Sequence, residues 1–344
     1  MHETQQSLHA TIGVLTFHRP EQIVQTVEML HQQLSALQAP WSGEVLVVDN
    51  DPAGSGRDAV EAMGLDRVRF VVEPTPGIAA ARNRALDEAQ SSAGRQDGVE
   101  GGSDVLLFLD DDGRPGPGWL QLMLDCWLAS RPAAVAGFVD TRYPGEVDPW
   151  IHAGGFFTRR RWESGRELPA AACGNLLLDL HQLGARRFST GLGMGGGEDT
   201  LLTRQIVAAG GRIVACPEAV VVDLVTTDRM TRQWVLLRSL SHGNTHGVLT
   251  LMLAGDRLAR PKLLAGGLGR MVAGGGRSLL GRARHDLTHQ ARGSRAAARG
   301  AGMVLAAAGL RYQEYVRDGG WRERLAPIPD DLRPQSAHRK ESSR

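Results

Sequence analysis

Residues 105–112 read VLLFLDDD, an apolar run from Val105 to Leu109 that ends in Asp110, Asp111 and Asp112. The run has no alternation of apolar and polar positions, which marks a strand buried on both faces. Gly113, Pro115, Gly116 and Pro117 follow and force a turn. Adjacent carboxylates repel, and burial would raise their pKa values. Three of them at a strand end imply a compensating cation, and an oxygen-only donor set suits Mg²⁺ or Mn²⁺. A solvated acidic turn is the other reading; the neighbouring residues decide between the two.

Working outward, Thr11–Phe17 reads as a first buried strand, ended by His18, Arg19 and Pro20. Pro20 suits the first turn of a helix, and Ile23, Val24, Val27, Leu30, Leu34 and Leu37 carry that helix to about residue 38. Val45–Val48 is a second strand ending at Asp49 and Asn50, and Val68–Val72 a third. A helix over Ile78–Ala89 and a polar, Gly-rich loop over residues 91–103 lead back to the acidic strand. Strands alternating with helices predict an α/β chain: a mixed, mostly parallel sheet with helices on both faces. Ligands of such sheets bind beyond the carboxyl ends of the strands. The pairs His18–Arg19 and Asp49–Asn50 and the acids Asp110–Asp112 are therefore expected around one crevice.

Downstream, a helix over Trp119–Leu128 and a strand over Val135–Asp140 are predicted. Trp150, Gly154, Gly155, Phe156 and Phe157 suggest short antiparallel pieces, and Cys173, Gly174 and Asn175 precede a strand-like Leu176–Leu178. A glycine-dense loop, Gly191–Gly197, opens on Glu198 and Asp199 at the start of a helix over about Thr200–Ala209. The two acids read either as dipole-stabilised caps or as carboxylates presented to a substrate. Ile213–Cys216 and Ala219–Val225 complete the sheet. A helix from Thr231 places Trp234, Arg238 and His242 on one face.

The 344 residues, 42% hydrophobic and 22% charged, are enough for one large α/β domain with an appendage. Net charge is only +1, but from Arg257 onward there are 18 Lys and Arg against 7 Asp and Glu, so the last quarter is basic and the rest acidic. Three scattered cysteines without a CxxC spacing argue against a disulfide framework or zinc site and fit a reducing compartment. Met1–Ala10 lacks the apolar stretch of a signal peptide, and no apolar run is long enough to span a bilayer.

Six segments in order make the chain resemble the family 2 glycosyltransferases, of non-processive bacterial type with a GT-A fold, over roughly residues 10–245. They are TIGVLTFHRP, VVDND, GIAAARNRAL, FLDDDGRP, CGNLLL and GGGEDTLLTRQIVAAGGRIVACPEAVVVDL. The resemblance implies transfer of a sugar from a nucleotide-diphosphate sugar to an acceptor hydroxyl of a cell-envelope glycan, polysaccharide or lipid-linked intermediate. It implies a divalent cation, Mn²⁺ or Mg²⁺, on Asp112 with Asp110, and inversion at the anomeric carbon. Thr16, His18, Arg19, Asp49, Arg82, Asn83, Asp110 and Asp111 are then the nucleotide-sugar side, with Asp111 touching the donor sugar. Gly174, Asn175, Trp234 and Arg238 are the acceptor side, and Asp199, with Glu198 second, is the general base. Many relatives have a metal-binding His at the last strand end; Asp223 stands there, either as a further ligand or as a plain strand end. Trp234 and Arg238 read equally as packing residues.

The resemblance divides the chain into a catalytic domain over residues 1–250, with its nucleotide-sugar half over about 10–115 and its acceptor half over about 116–250. A basic helical extension follows over 251–329, and residues 330–344 read as a disordered tail. In the extension, Met271, Leu279, Leu280 and Leu287 alternate with Arg270, Arg277, Arg282 and Arg284. Two readings stand: a surface lying on anionic lipid, or helices packed on the catalytic domain with arginines in solvent. Gly266, Gly267, Gly274, Gly275 and Gly276 are expected to weaken any helix there. Sparse aromatics argue against nucleic acid. A cytoplasmic protein, peripheral at the inner face of the plasma membrane in the lipid reading, is the expectation. Competing functions are a nucleotide-sugar-binding relative without catalysis and a sugar-phosphate nucleotidyltransferase. The latter needs a glycine-rich, basic loop after the first strand, which Thr16–Pro20 does not supply.

Overall fold

The computed structural model describes residues 7–91, 102–254, 257–314 and 324–329. Most of the predicted loop at 91–103 and the whole tail at 330–344 lie outside these residues. The chain forms two compact units. The first comprises residues 1–142, 159–190 and 198–224; the second comprises residues 143–158, 191–197 and 225–344.

The first unit is built on an eight-stranded sheet. In chain order its elements are β1 (Leu8–Thr16), α1 (Pro20–Ser35), β2 (Trp41–Asp49), α2 (Arg57–Glu61), β3 (Val68–Val72) and α3 (Ile78–Gln90). Then come β4 (Val105–Asp110), β5 (Gly113–Pro115), α4 (Trp119–Ser130) and β6 (Ala134–Arg142). After α5 (Pro149–Gly154), which belongs to the second unit, come β7 (Asn175–Asp179), α6 (Leu180–Leu183), α7 (Glu198–Ala208) and β8 (Ile213–Leu224). The strand order is β3-β2-β1-β4-β7-β6-β8-β5. β1, β2, β3 and β4 pair in parallel, as do β6 and β8, while β7 and β5 pair antiparallel. This is the mixed, mostly parallel, helix-flanked sheet expected from the sequence.

The unbroken apolar strands bury both faces, and side-chain parity sorts them. Ile12, Val14, Val45, Val47, Leu107 and Leu109 pack with α1 and α4 in one core. Leu46, Val48, Leu106, Phe108, Leu176 and Leu178 pack with α3, α6 and α7 in the other.

β8 runs unbroken through Pro217, where the sequence suggested two strands. The register with β6 jumps between Gly137 and Phe138, because Pro217 has no N–H to keep the ladder going. Asn175 fills the defect. Its amide donates to Phe138 O at 3.1 Å and Ala219 O at 2.9 Å and accepts from Trp119 Nε1 at 2.8 Å. A methyl group at Gly137 would overlap that amide.

The second unit contains α5, α8 (Arg232–Leu253), α9 (Ala259–Ala283), α10 (Leu287–Ala307) and a small hairpin, β9 (Leu310–Tyr312) with β10 (Leu325–Pro327). The short antiparallel pieces expected around residues 150–157 are instead the helix α5. Asp148 caps it by accepting from Trp150 N at 2.8 Å, Pro149 occupies the first turn and Gly155 closes it at φ 60°. Among the described residues, no helix is long and apolar enough to cross a membrane.

Candidate active site

The end of β4 brings the acidic run beside β1 in parallel register, Leu15 opposite Asp110. The three acids do different work. Asp111 is buried: its carboxylate accepts from Thr16 Oγ1 at 3.0 Å and from the Arg19 guanidinium at 2.8 Å, and its carbonyl accepts from Thr26 Oγ1 at 2.7 Å. Burial pushes its carboxyl up, Arg19 opposes this, and Asp112 adds to it. Asp111 therefore locks the strand end to the start of α1, whereas the sequence placed it against the donor sugar. Thr16 and Arg19 are engaged in the same lock. Asp112 is partly exposed and also accepts from Arg19, at 3.1 Å. His18 follows β1 at φ 53°, a strained conformation for a side-chain-bearing residue, with Nδ1 3.5 Å from Asp51 Oδ2.

Asp110 points the other way. It keeps an exposed face at the strand end but is hemmed in by protein, and the lost hydration pushes its carboxyl up to about 6. Arg82 opposes that rise, and Asp112, Asp111 and Asp223 add to it. Asp223 comes into range because β8 pairs with β5, placing it opposite Gly113. Asp223 itself faces Arg159 at 3.5 Å.

The donor chemistry of Asp110, Asp112 and Asp223 fits a hard divalent cation: three carboxylates, oxygen only, with Asp112 and Asp223 both raising the proton affinity of Asp110. As the side chains stand, no group of three His, Cys, Asp or Glu among the described residues is gathered tightly enough to hold an ion. Asp112 is turned onto Arg19 and Asp223 onto Arg159.

Gly174 lies against this cluster. A methyl group there would sit 2.7 Å from Asp110 Oδ2. Because that oxygen ends a side chain that can swing away, Gly174→Ala is expected to cost under about 1 kcal/mol of stability. Displacing Asp110 by about 1 Å is expected to lower turnover roughly a hundredfold. Chemical denaturation and steady-state rates on the same preparation check both halves. Asn175, expected with Gly174 on the acceptor side, is buried and spends its amide in the sheet defect.

On α3, Arg82 is buried and ion-paired to Glu198 at the start of α7, and its guanidinium lies over the Phe188 ring at 5.6 Å. Burial opposes charge on Arg82, yet Cys173, Glu198, Asp199 and Asp110 together hold it above its usual range. Burial also pushes the Cys173 thiol up and keeps it neutral, so the carboxylates do the holding. Burial pushes Glu198 up as well, against Arg82. Arg82 Nε and Glu198 Oε2 are buried without a hydrogen-bond partner among the described residues.

Asp199 is half-buried, accepting from Thr200 N at 2.5 Å and Cys173 N at 3.4 Å. Arg82 thus stands in the field of Asp110, Glu198 and Asp199 together. Asn83, the next residue, exchanges two hydrogen bonds with the Phe188 backbone, at 2.8 and 2.9 Å, and fixes that loop. Sequence reasoning missed Phe188 and the partnership of Arg82 with Glu198, since 116 residues separate that pair.

Asp49 is buried at the end of β2 and accepts from Asp51 N at 3.0 Å and Gly56 N at 2.8 Å. It shapes the loop that follows. Asn50 does the same one loop further on: its amide donates to Glu73 O at 2.9 Å and Thr75 O at 2.7 Å and accepts from Gly77 N at 2.9 Å.

Trp234 and Arg238 belong to the second unit. Trp234 stacks on Phe157 with ring centroids 5.8 Å apart, and Arg238 pairs with Glu314. The glycine-dense loop Gly191–Gly197 also belongs there, where Gly191 O accepts from Arg311 at 2.5 Å and Gly195 O from Thr245 Oγ1 at 3.5 Å.

The sequence pattern of Glycosyl transferase family 2 matches residues 11–179. The Succinoglycan biosynthesis protein ExoM of Rhizobium meliloti (strain 1021) is 34% identical over 251 residues, 71% of this chain and 76% of that protein. Among solved structures, S. aureus TarS 1-349 in complex with UDP-GlcNAc aligns with TM-score 0.49 and 13% identity, over 83% of this chain and 90% of that one. GalNAc-T7 with UDP, GalNAc and Mn²⁺ aligns with TM-score 0.48 and 13% identity, over 75% of this chain and 54% of that one. On the strength of that sequence match and that relative, the chain belongs to the family 2 glycosyltransferases.

Proposed function

We propose that this glycosyltransferase moves a sugar from a nucleotide-diphosphate donor to a hydroxyl of a glycan or lipid-linked acceptor, by direct displacement with inversion, in polysaccharide biosynthesis. The relative that carries succinoglycan biosynthesis in its name supports the last point. The observation that carries the reading is Arg82, buried in the field of Asp110, Glu198 and Asp199 at once.

Asp110, Asp112 and Asp223 would hold the divalent cation, which when bound neutralises charge on the departing diphosphate. Asp112 accepts from Arg19 and would turn from it to reach the cation, while Asp111 fixes the strand end through Arg19 and Thr16. Asp199 takes the proton of the attacking acceptor hydroxyl, being the more accessible of the two acids at the start of α7. Glu198 is committed to Arg82 and positions that helix start. Asp49 shapes the loop beside which the nucleotide base sits.

Direct displacement from the face opposite the leaving group predicts an inverted product. Proton NMR of the first-formed product reads the anomeric configuration. An anomer opposite to the donor's is expected; a retained anomer contradicts the single displacement and removes Asp199 as base.

A further inference from the structure

The helix α9 is packed inside out. Its inward face is glycine: Gly267, Gly274 and Gly281 recur every seven residues and lie against α10. A methyl group at Gly267 would stand 3.0 Å from Gly300 O, and one at Gly274 2.7 Å from Gly293 O. Backbone therefore meets backbone, and the glycines expected to weaken the helix are what brings α10 so close. The large apolar residues are on the outside. Leu264, Leu268, Val272 and Leu279, at spacings of four, four and seven, share one face. They are 40%, 47%, 75% and 65% exposed.

A water-facing helix normally does the reverse. Small residues at the seam with large apolar residues outside is the arrangement of helices whose surroundings are lipid. Charge points the same way. Arg257, Arg260, Lys262, Arg270, Arg277, Arg282 and Arg284 are all exposed, and no Asp or Glu occurs from residue 257 until Asp286.

We propose that α9 is an interfacial helix that lies on an anionic bilayer, with Leu264, Leu268, Val272 and Leu279 in the acyl boundary and the arginines on lipid phosphates. Its apolar stripe runs along the helix axis, and Arg260 and Arg282, four residues before Leu264 and three after Leu279, stand beside it, while Arg270, Arg277 and Arg284 lie toward the α10 side and add to the overall positive charge. The proposal needs nothing from the chemistry of the first unit, so the two stand or fall separately. Met271 and Leu280, grouped with these residues on sequence alone, are not in the stripe: Met271 is only partly exposed, and Leu280 is offset from it by one position.

Flotation of the full chain tests it, with vesicles of phosphatidylcholine alone and of phosphatidylcholine with phosphatidylglycerol. The wild type is expected to float with the anionic vesicles only and to be released by salt. Leu268→Ser/Val272→Ser/Leu279→Ser, all surface changes, is expected to partition at least about tenfold more weakly. In a second variant, Arg260→Ser/Arg282→Ser, each lost arginine is expected to weaken binding about fivefold. Circular dichroism verifies that both variants keep their helix content. Failure of the wild type to float with anionic vesicles overturns the proposal, as does undiminished flotation of the triple serine variant. A concentration-dependent dimer that the triple variant abolishes, without flotation, assigns the stripe to a second copy and also overturns it.

Discussion

Arg82→Met is expected to lower the unfolding free energy by about 3–5 kcal/mol, because it strips a buried carboxylate of its cation. Arg82 and Glu198 are both almost fully buried, and their ion pair joins α3 to the start of α7. Desolvation is the largest influence on each. Once Arg82 is gone, Glu198 stays charged at that cost or takes up a proton. The double variant Arg82→Met/Glu198→Leu separates the pair from its surroundings. Apolar replacement of both members removes the unpaired charge, so most of the lost stability is expected to return. Transfer activity is not expected to return with it, because Asp110 and Asp199 have lost the cation whose charge they share. Urea denaturation of the wild type and both variants reads the first half, and turnover the second. A double variant no more stable than Arg82→Met refutes the ion-pair account.

Asp199→Asn is expected to reduce turnover by about 10²–10⁴-fold while donor affinity stays near the wild-type value. The amide preserves the shape of the side chain and its acceptor oxygen toward Thr200 N, but takes no proton from an acceptor hydroxyl. Glu198→Gln makes the contrast. It weakens the buried pairing with Arg82, so its loss of turnover is expected to come with a larger fall in stability than in Asp199→Asn, which gives up only the 3.4 Å contact from Cys173 N. Steady-state rates, donor titration and thermal unfolding on the two variants separate a proton acceptor from a positioning residue. Equal turnover in Asp199→Asn and wild type removes Asp199 from the chemistry.

The sheet was legible because its strands are apolar on both faces and its turns carry Gly and Pro. Val68–Val72 and the start of α3 fall where the pattern put them. The helix α5 was not legible as a strand-poor stretch of aromatics, although Asp148, Pro149 and Gly155 were its cap signals. At the site, the approach of Asp223 to the acidic run follows from strand order, since β5 returns that run to β8. What individual acids do within the run was hidden. Nothing in DDD says that the middle member faces Thr16 and Arg19, because that depends on the register of β4 against β1. Asn175 was misread for a similar reason: a polar residue before a strand looks available until the defect at Pro217 claims its amide. The glycines of α9 were read as breakers because propensity describes an isolated helix, whereas here close backbone contact with α10 supplies the stability.

The most direct test of the central claim is calorimetric titration of UDP-, GDP- and dTDP-sugars into wild type and Asp112→Ala, with and without Mn²⁺ or Mg²⁺. One donor class is expected to bind only with the cation, and Asp112→Ala to weaken that binding at least about tenfold, or roughly 1.4 kcal/mol. Binding of no nucleotide sugar with either cation, or cation-independent binding that Asp112→Ala leaves unchanged, would contradict it.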